Sequence, residues 1–89
     1  MTDAPVAPPR VRIYTTLFCG YCRAAIGLLE RAGVPFEQID LTGRFGARRR
    51  VVEDTGWQTV PVVLIDGELV GGYTELARLA AAGGLETLV

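Results

Sequence analysis

Cys19 and Cys22 are the only cysteines in the 89-residue chain, and just Gly20 and Tyr21 stand between them. That spacing suits a dithiol that closes to a disulfide and is reopened by exchange. The pair follows a short β-rich run and opens an apolar-periodic stretch, so a strand should hand the chain to a helix at this point. The first sulfur then sits at a helix N-terminus, where unpaired backbone N–H groups and the positive end of the helix dipole favour thiolate over thiol. The second sulfur lies one turn inside the helix and can reach back to attack a disulfide formed on the first. The competing uses are half of a zinc site or two inert structural thiols. A closed zinc site takes four ligands, and the chain has no other cysteine and no histidine, which leaves redox exchange as the favoured chemistry.

The chain that must position this pair is 49% hydrophobic, enough for one small core without disulfide staples. Residues 1–9 carry Pro5, Pro8 and Pro9 among small residues with no helical or strand period; they read as a disordered tail, and residues 10–89 as one domain. The formal net charge is −1, with nine arginines and no lysine. It offers no field that would draw nucleic acid or an acidic membrane, so small molecules and protein surfaces are the expected partners. With no charged leader and no membrane-length apolar run, the expected setting is the cytoplasm, where a close cysteine pair is more often catalytic than structural.

Val11 to Thr15 alternates and should form the first strand, and Tyr21 to Ala32 a helix that places Ala25, Ile26, Leu28 and Leu29 on one face and stops at Gly33. Phe36 to Leu41 is a second short strand that completes a β-α-β unit. Arg44 to Thr55 reads as a helix with Val51 and Val52 inward and Arg48, Arg49 and Arg50 on a solvated face; Gly56 ends it, and Trp57 follows as a packing anchor, with a ligand-platform role left open by its place just before the next motif. Val62 to Ile65, Asp66-Gly67 and Glu68 to Val70 form an antiparallel hairpin, because Asp-Gly suits a tight turn with both central residues at positive φ. After Gly71-Gly72, Thr74 is expected to N-cap a last helix with Leu76, Leu79 and Ala80 buried. Gly83-Gly84 should end it, with Leu85 to Val89 docking on the core. The order β-α-β-α-β-β-α is that of a minimal thioredoxin fold, an α/β architecture with a four-stranded mixed sheet flanked by three helices.

Four features, in this order and spacing, resemble the glutaredoxin family from Val11 to the C-terminus: Ile13-Tyr14 leading to Cys19-Gly20-Tyr21-Cys22, Ile39-Asp40, Thr59-Val60-Pro61, and Gly71-Gly72-Tyr73-Thr74-Glu75-Leu76. The resemblance implies a dithiol, glutathione-dependent thiol–disulfide oxidoreductase that reduces protein disulfides and protein–glutathione mixed disulfides, with Cys19 as nucleophile and Cys22 as resolving thiol. It further implies that Pro61 is a cis-proline whose neighbour Val60 pairs through its backbone with glutathione. The groove would be completed by Tyr21, Gln58, Thr59, Gly72, Tyr73, Thr74 and Glu75. The amides of Thr74 and Glu75 would take the γ-glutamyl carboxylate, and the Glu75 side chain the ammonium.

The sequence departs from common members of that family at three places: Gly20 replaces a proline, Thr16 a lysine, and Trp57-Gln58 a basic residue. Two cations near the thiolate and the glycine carboxylate are therefore missing. Gln58, or one of Arg44, Arg48 and Arg49, is the expected substitute. Glutathione is expected as co-substrate, with no metal required, and the chain is expected to act as a monomer. Because Gly20 leaves room beside the nucleophile, the alternative is a [2Fe–2S] carrier, a dimer in which Cys19 of each chain and two glutathione thiols hold the cluster. A mycoredoxin-like enzyme using another low-molecular-weight thiol is the second alternative.

Overall fold

The computed structural model describes residues 8–89, so most of the expected N-terminal tail lies outside the described residues. The element order is β1 (Val11–Thr15), α1 (Gly20–Arg31), β2 (Phe36–Asp40), α2 (Phe45–Thr55), β3 (Val62–Ile65), β4 (Glu68–Gly71) and α3 (Tyr73–Ala81), followed by a 3₁₀ turn over Glu86–Leu88. The four strands form one sheet in the order β2-β1-β3-β4, with β1 parallel to β2, antiparallel to β3, and β3 antiparallel to β4. This is the thioredoxin fold that the element order predicts.

Strand periodicity splits the sheet between two cores. Val11 and Ile13 of β1 and Val63 of β3 face α1 and α3, where they meet Ala25, Leu29 and Leu76, all fully buried. Leu85 and Leu88 close the same cluster, so the C-terminal residues do dock as expected. Full burial of a leucine such as Leu76 is worth about 1.5–3 kcal/mol, and this cluster fixes how α1 and α3 lie on the sheet. On the opposite face, Val62 packs with Leu41 and Val51 of α2, bordered by Tyr14, Ile39, Ala47 and Trp57. Val52 is half-buried rather than inward like Val51, and Arg49 and Arg50 are exposed.

Turns follow the chemistry of their residues. Asp66 and Gly67 stand at φ 53° and 82°, as a hairpin turn with two left-handed residues requires. Gly56 closes α2 in the left-handed conformation, its N–H donating to the Val52 carbonyl at 2.7 Å. One expected cap is corrected. Gly72, not Thr74, is the N-cap of α3, because the Glu75 side chain accepts the Gly72 N–H at 2.9 Å and starts the helix two residues earlier. This is half of a capping box, since glycine has no side chain to return the bond. Several boundaries also differ by a residue: α1 runs from Gly20 to Arg31, α2 begins at Phe45, β4 ends at Gly71, and β2 ends at Asp40, after which the Leu41 N–H still bonds the Thr15 carbonyl at 2.8 Å. Among the described residues no helix is long and apolar enough to cross a membrane.

The hairpin turn is tied to the start of β1 by the Arg10 guanidinium, which donates to both carboxylate oxygens of Asp66 at 2.9 and 2.7 Å. These bonds, with the arginine charge, hold the Asp66 carboxyl below its ordinary value of 3.8. A depressed carboxylate stabilises the fold fully above the unfolded value, and the contribution is lost as pH falls through the folded one. Asp66→Asn should therefore be less stable than the parent at neutral pH, with the gap small because the pair is exposed. Thermal melts across a pH series should show that gap closing as pH drops below about 3.8; a gap that stayed constant with pH would assign the effect to the turn geometry instead.

Candidate active site

Strand directions bring the chemistry to one end of the sheet. Tyr14 pairs with Val62 and Val63 with Gly71 across antiparallel neighbours, so the end of β1, the start of β3 and the end of β4 lie together. β2 runs parallel to β1 and ends there too. The segments that leave these ends are the Cys19 loop, Thr59-Val60-Pro61 and Gly72 to Glu75, and both α1 and α3 present their N-termini to the same place.

Cys19 is itself the N-cap of α1, with extended backbone at φ −107° and ψ 104°. Its Sγ accepts the Cys22 N–H at 3.1 Å, and its carbonyl accepts the Arg23 N–H at 3.2 Å. A sulfur in the position usually held by a serine or aspartate oxygen receives the same bond those residues would, and a negative sulfur receives it more strongly. The two cysteines are joined as a disulfide, so the structure is the oxidised form. Cys22 is 2% exposed and Cys19 is only half-buried, so an incoming partner can meet Cys19 alone. The Val60 carbonyl oxygen lies 3.8 Å from Cys19 Sγ, and the Val60–Pro61 peptide is cis, as the resemblance implies.

Beside the pair lies an open groove of about 450 Å³, lined by Tyr21, Trp57, Thr59, Val60, Pro61, Gly72, Tyr73, Thr74 and Glu75. Its two walls are the Thr59–Pro61 segment and the first turn of α3. In that turn the Leu76 N–H is the first to bond within the helix, to the Gly72 carbonyl at 3.1 Å, which leaves the preceding N–H groups directed out of the helix end. Thr74 is exposed, and Glu75 is half-buried with one carboxylate oxygen engaged on Gly72. Tyr21 and Tyr73 stack at 6.1 Å between ring centroids and form the rim nearest the cysteines.

Of the residues expected in the groove, only Gln58 does not line it. Gln58 is exposed, and its carbonyl oxygen accepts a bond from the Arg48 guanidinium at 3.5 Å. This brings Arg48, rather than Arg44, to the Thr59 end of the groove; Arg44 and Arg50 border a separate depression over Tyr14 and Ile39. Trp57 takes both roles its place allows: it packs against the Leu41, Val51 and Val62 cluster and it lines the groove, and its buried Nε1 has no hydrogen-bond partner among the described residues. Its place just before Thr59-Val60-Pro61 was the signal for the second role.

The loop before Cys19 is anchored from β2. Asp40 Oδ1 accepts the Thr42 N–H at 2.9 Å, and Thr42 Oγ1 accepts the Leu17 N–H at 2.7 Å. Hydrogen bonding from the Thr42 hydroxyl and the Thr42 N–H, with the charge of Arg44, holds the Asp40 carboxyl below its ordinary range. Phe18, the next residue, has φ 60°, a left-handed conformation that costs a bulky residue on the order of 1 kcal/mol or more.

Comparison with known proteins agrees with this geometry. The family model described as Glutaredoxin matches residues 11–70. Glutaredoxin 3 of Escherichia coli strain K12 is 38% identical over 79 residues, spanning 89% of this chain and 95% of its own length. A glutaredoxin of Pseudomonas aeruginosa is 41% identical over 81 residues, or 91% of this chain and 96% of that protein. Among solved structures, the buckwheat glutaredoxin–glutathione complex superposes with a TM-score of 0.81 at 24% identity, covering 89% of this chain and 74% of that one; at that identity the likeness is one of fold.

Gly71 is the hinge of the α3 wall. It stands at φ 132°, and a Cβ there would come within 2.7 Å of Glu75 Cγ. Gly71→Ala should displace the Glu75 side chain from the Gly72 N–H and destabilise the protein by about 1–3 kcal/mol. Denaturant unfolding measures the loss, and a variant as stable as the parent would show that the wall relaxes freely. With a thiol pair at a helix N-terminus, a groove beside it and these relatives, the chain belongs to the glutaredoxin family, and Cys19 and Cys22 form its thiol–disulfide redox pair.

Proposed function

We propose that this glutaredoxin is a glutathione-dependent oxidoreductase that reduces protein disulfides and protein–glutathione mixed disulfides. The observation that carries the reading is the groove itself: an open trough of about 450 Å³ between the first turn of α3 and Val60, whose carbonyl oxygen lies 3.8 Å from Cys19 Sγ. An extended γ-glutamyl tripeptide has a thiol in its middle and a carboxylate at each end. Placed with its sulfur at Cys19, it would pair with the Val60 backbone and set its γ-glutamyl carboxylate on the N–H groups opening α3. The Glu75 oxygen not spent on Gly72 would take the ammonium. Arg48, bonded to the Gln58 carbonyl, would supply the positive charge for the glycine carboxylate at the opposite end, a role the sequence leaves open among Gln58, Arg44, Arg48 and Arg49. The buckwheat relative, of the same fold, is a glutaredoxin–glutathione complex, and this supports the assignment of the ligand.

In this reading the Cys19 thiolate attacks the glutathione sulfur of a protein–glutathione disulfide. The Cys19–glutathione bond forms, and the protein cysteine leaves as a thiolate that takes a proton from water. A second glutathione then displaces the first from Cys19 and yields glutathione disulfide. With a protein disulfide as substrate, Cys22 attacks the mixed disulfide on Cys19 and closes the intramolecular bond. No metal is needed for these steps, and a reducing cytoplasm is the compartment that keeps the pair cycling. We place the catalytic unit in residues 10–89, acting as a monomer.

Cys19→Ser should be inert with every substrate. Cys22→Ser should still deglutathionylate a small mixed disulfide but fail on substrates that need two thiols. Steady-state assays with glutathione as reductant check both, and turnover by Cys19→Ser would overturn the assignment of the nucleophile. A parent enzyme that used another low-molecular-weight thiol and ignored glutathione would overturn the choice of co-substrate.

A further inference from the structure

Phe18 precedes the nucleophile directly, and its residue is 92% exposed. Its backbone holds φ 60°, a conformation in which glycine would be free of strain. The loop imposes this geometry, since the Thr42 hydroxyl fixes the Leu17 N–H at 2.7 Å immediately before it. The chain thus carries an aromatic ring where the backbone disfavours one, and the ring buries almost nothing against its own protein. Leu17 beside it is 59% exposed, and the run from Ile13 to Cys22 contains no charged residue. Neither Leu17 nor Phe18 lines the glutathione groove.

We propose that Phe18 is a specificity-determining contact for the protein substrate, and that this substrate presents its glutathionylated cysteine next to a large apolar side chain. The inference rests on the glutathione reading above. When the Cys19 thiolate attacks the glutathione sulfur, the three sulfurs lie nearly in line, and the leaving cysteine is about 4 Å from Cys19 Sγ at two S–S bond lengths. Glutathione occupies the groove side of Cys19, so the polypeptide bearing the leaving cysteine crosses another flank, and Phe18, joined directly to Cys19 and 92% exposed, stands on one of these. An apolar neighbour of that cysteine would cover the ring and be removed from water with it. A charged neighbour would lose hydration there and find no opposite charge in the loop.

Two glutathionylated peptides of equal length, with leucine or with serine beside the cysteine, test this in the full chain. Each kcat/KM is divided by the same variant's value for the mixed disulfide of glutathione and cysteine, so a fault in the thiol chemistry cancels. The parent should prefer the leucine peptide about tenfold. Phe18→Ser should reduce that preference to within about twofold, and Phe18→Leu should keep most of it. Phe18→Gly should melt at a higher temperature than the parent, because the strain is relieved and no internal packing is lost. Equal parental rates on the two peptides, a preference that survives Phe18→Ser, or a lower melting temperature for Phe18→Gly would each overturn the inference. Failure of the parent on the small glutathione disulfide would instead sink the glutathione reading, and the two failures are therefore distinct.

Discussion

The bond from the Cys22 N–H to Cys19 Sγ, at 3.1 Å, is the interaction on which the rest of the site depends. It makes the nucleophile its own helix cap, so stabilising the anion and starting α1 are one event. The bond exists only if α1 begins at Gly20 and points its N-terminus past the end of β1. That orientation is fixed at the far end of the helix, where Ala25 and Leu29 are fully buried against Val11, Ile13 and Leu76. Core packing more than a turn away therefore sets the electrostatics of the sulfur, and a cavity opened at Leu29 would be felt at Cys19 as a misdirected N–H.

A second consequence of the same packing is that α3 is aligned with α1. Both rest on one face of the sheet and both open at the end where β1 and β4 finish. Two helix N-termini consequently face the groove from one side, while Arg48 of α2 reaches the Gln58 carbonyl, next to the Thr59 that lines the groove. The chain has no lysine and no charged residue between Ile13 and Cys22; Arg23 follows the pair, and the N-terminus of α1 sets its backbone dipoles at Cys19. Such dipoles are fixed by the fold and need no side chain to be ordered, so they lose no rotamer entropy when an anion arrives.

The elements whose chemistry is local were legible in the sequence. Asp66-Gly67 could make only a turn with two positive φ angles, Gly56 ended α2 as a left-handed cap, and the alternation of Val11, Ile13 and Val63 marked the buried face of the sheet. What escaped depends on long-range placement or on competition between neighbours. Thr74 is the better intrinsic cap, yet Glu75 reaches back to Gly72 and begins α3 earlier, an outcome decided by the close approach that Gly71 permits. Trp57 reads as core from its size and as a ligand platform from its place, and only the fold shows that it is both, packed on the α2 core and lining the groove. Gln58 fails the other way: its polar side chain suggested a ligand contact, but the backbone turns it to solvent and leaves its carbonyl to Arg48.

Trp57 also shows how the groove is held without charge. Its ring belongs to the α2 core while its buried Nε1 has no partner among the described residues, and an unpaired buried donor costs about 1–3 kcal/mol. A basic side chain at this position would have had to remain hydrated at the rim, whereas the indole fills the space between the core and Gly72. The wall thereby becomes continuous with the hydrophobic cluster that carries β3. On this side the shape of the groove is set by the packing of Trp57 and Val62 on the α2 core, while Arg48 of α2 stands at the Gln58 carbonyl, outside the groove lining.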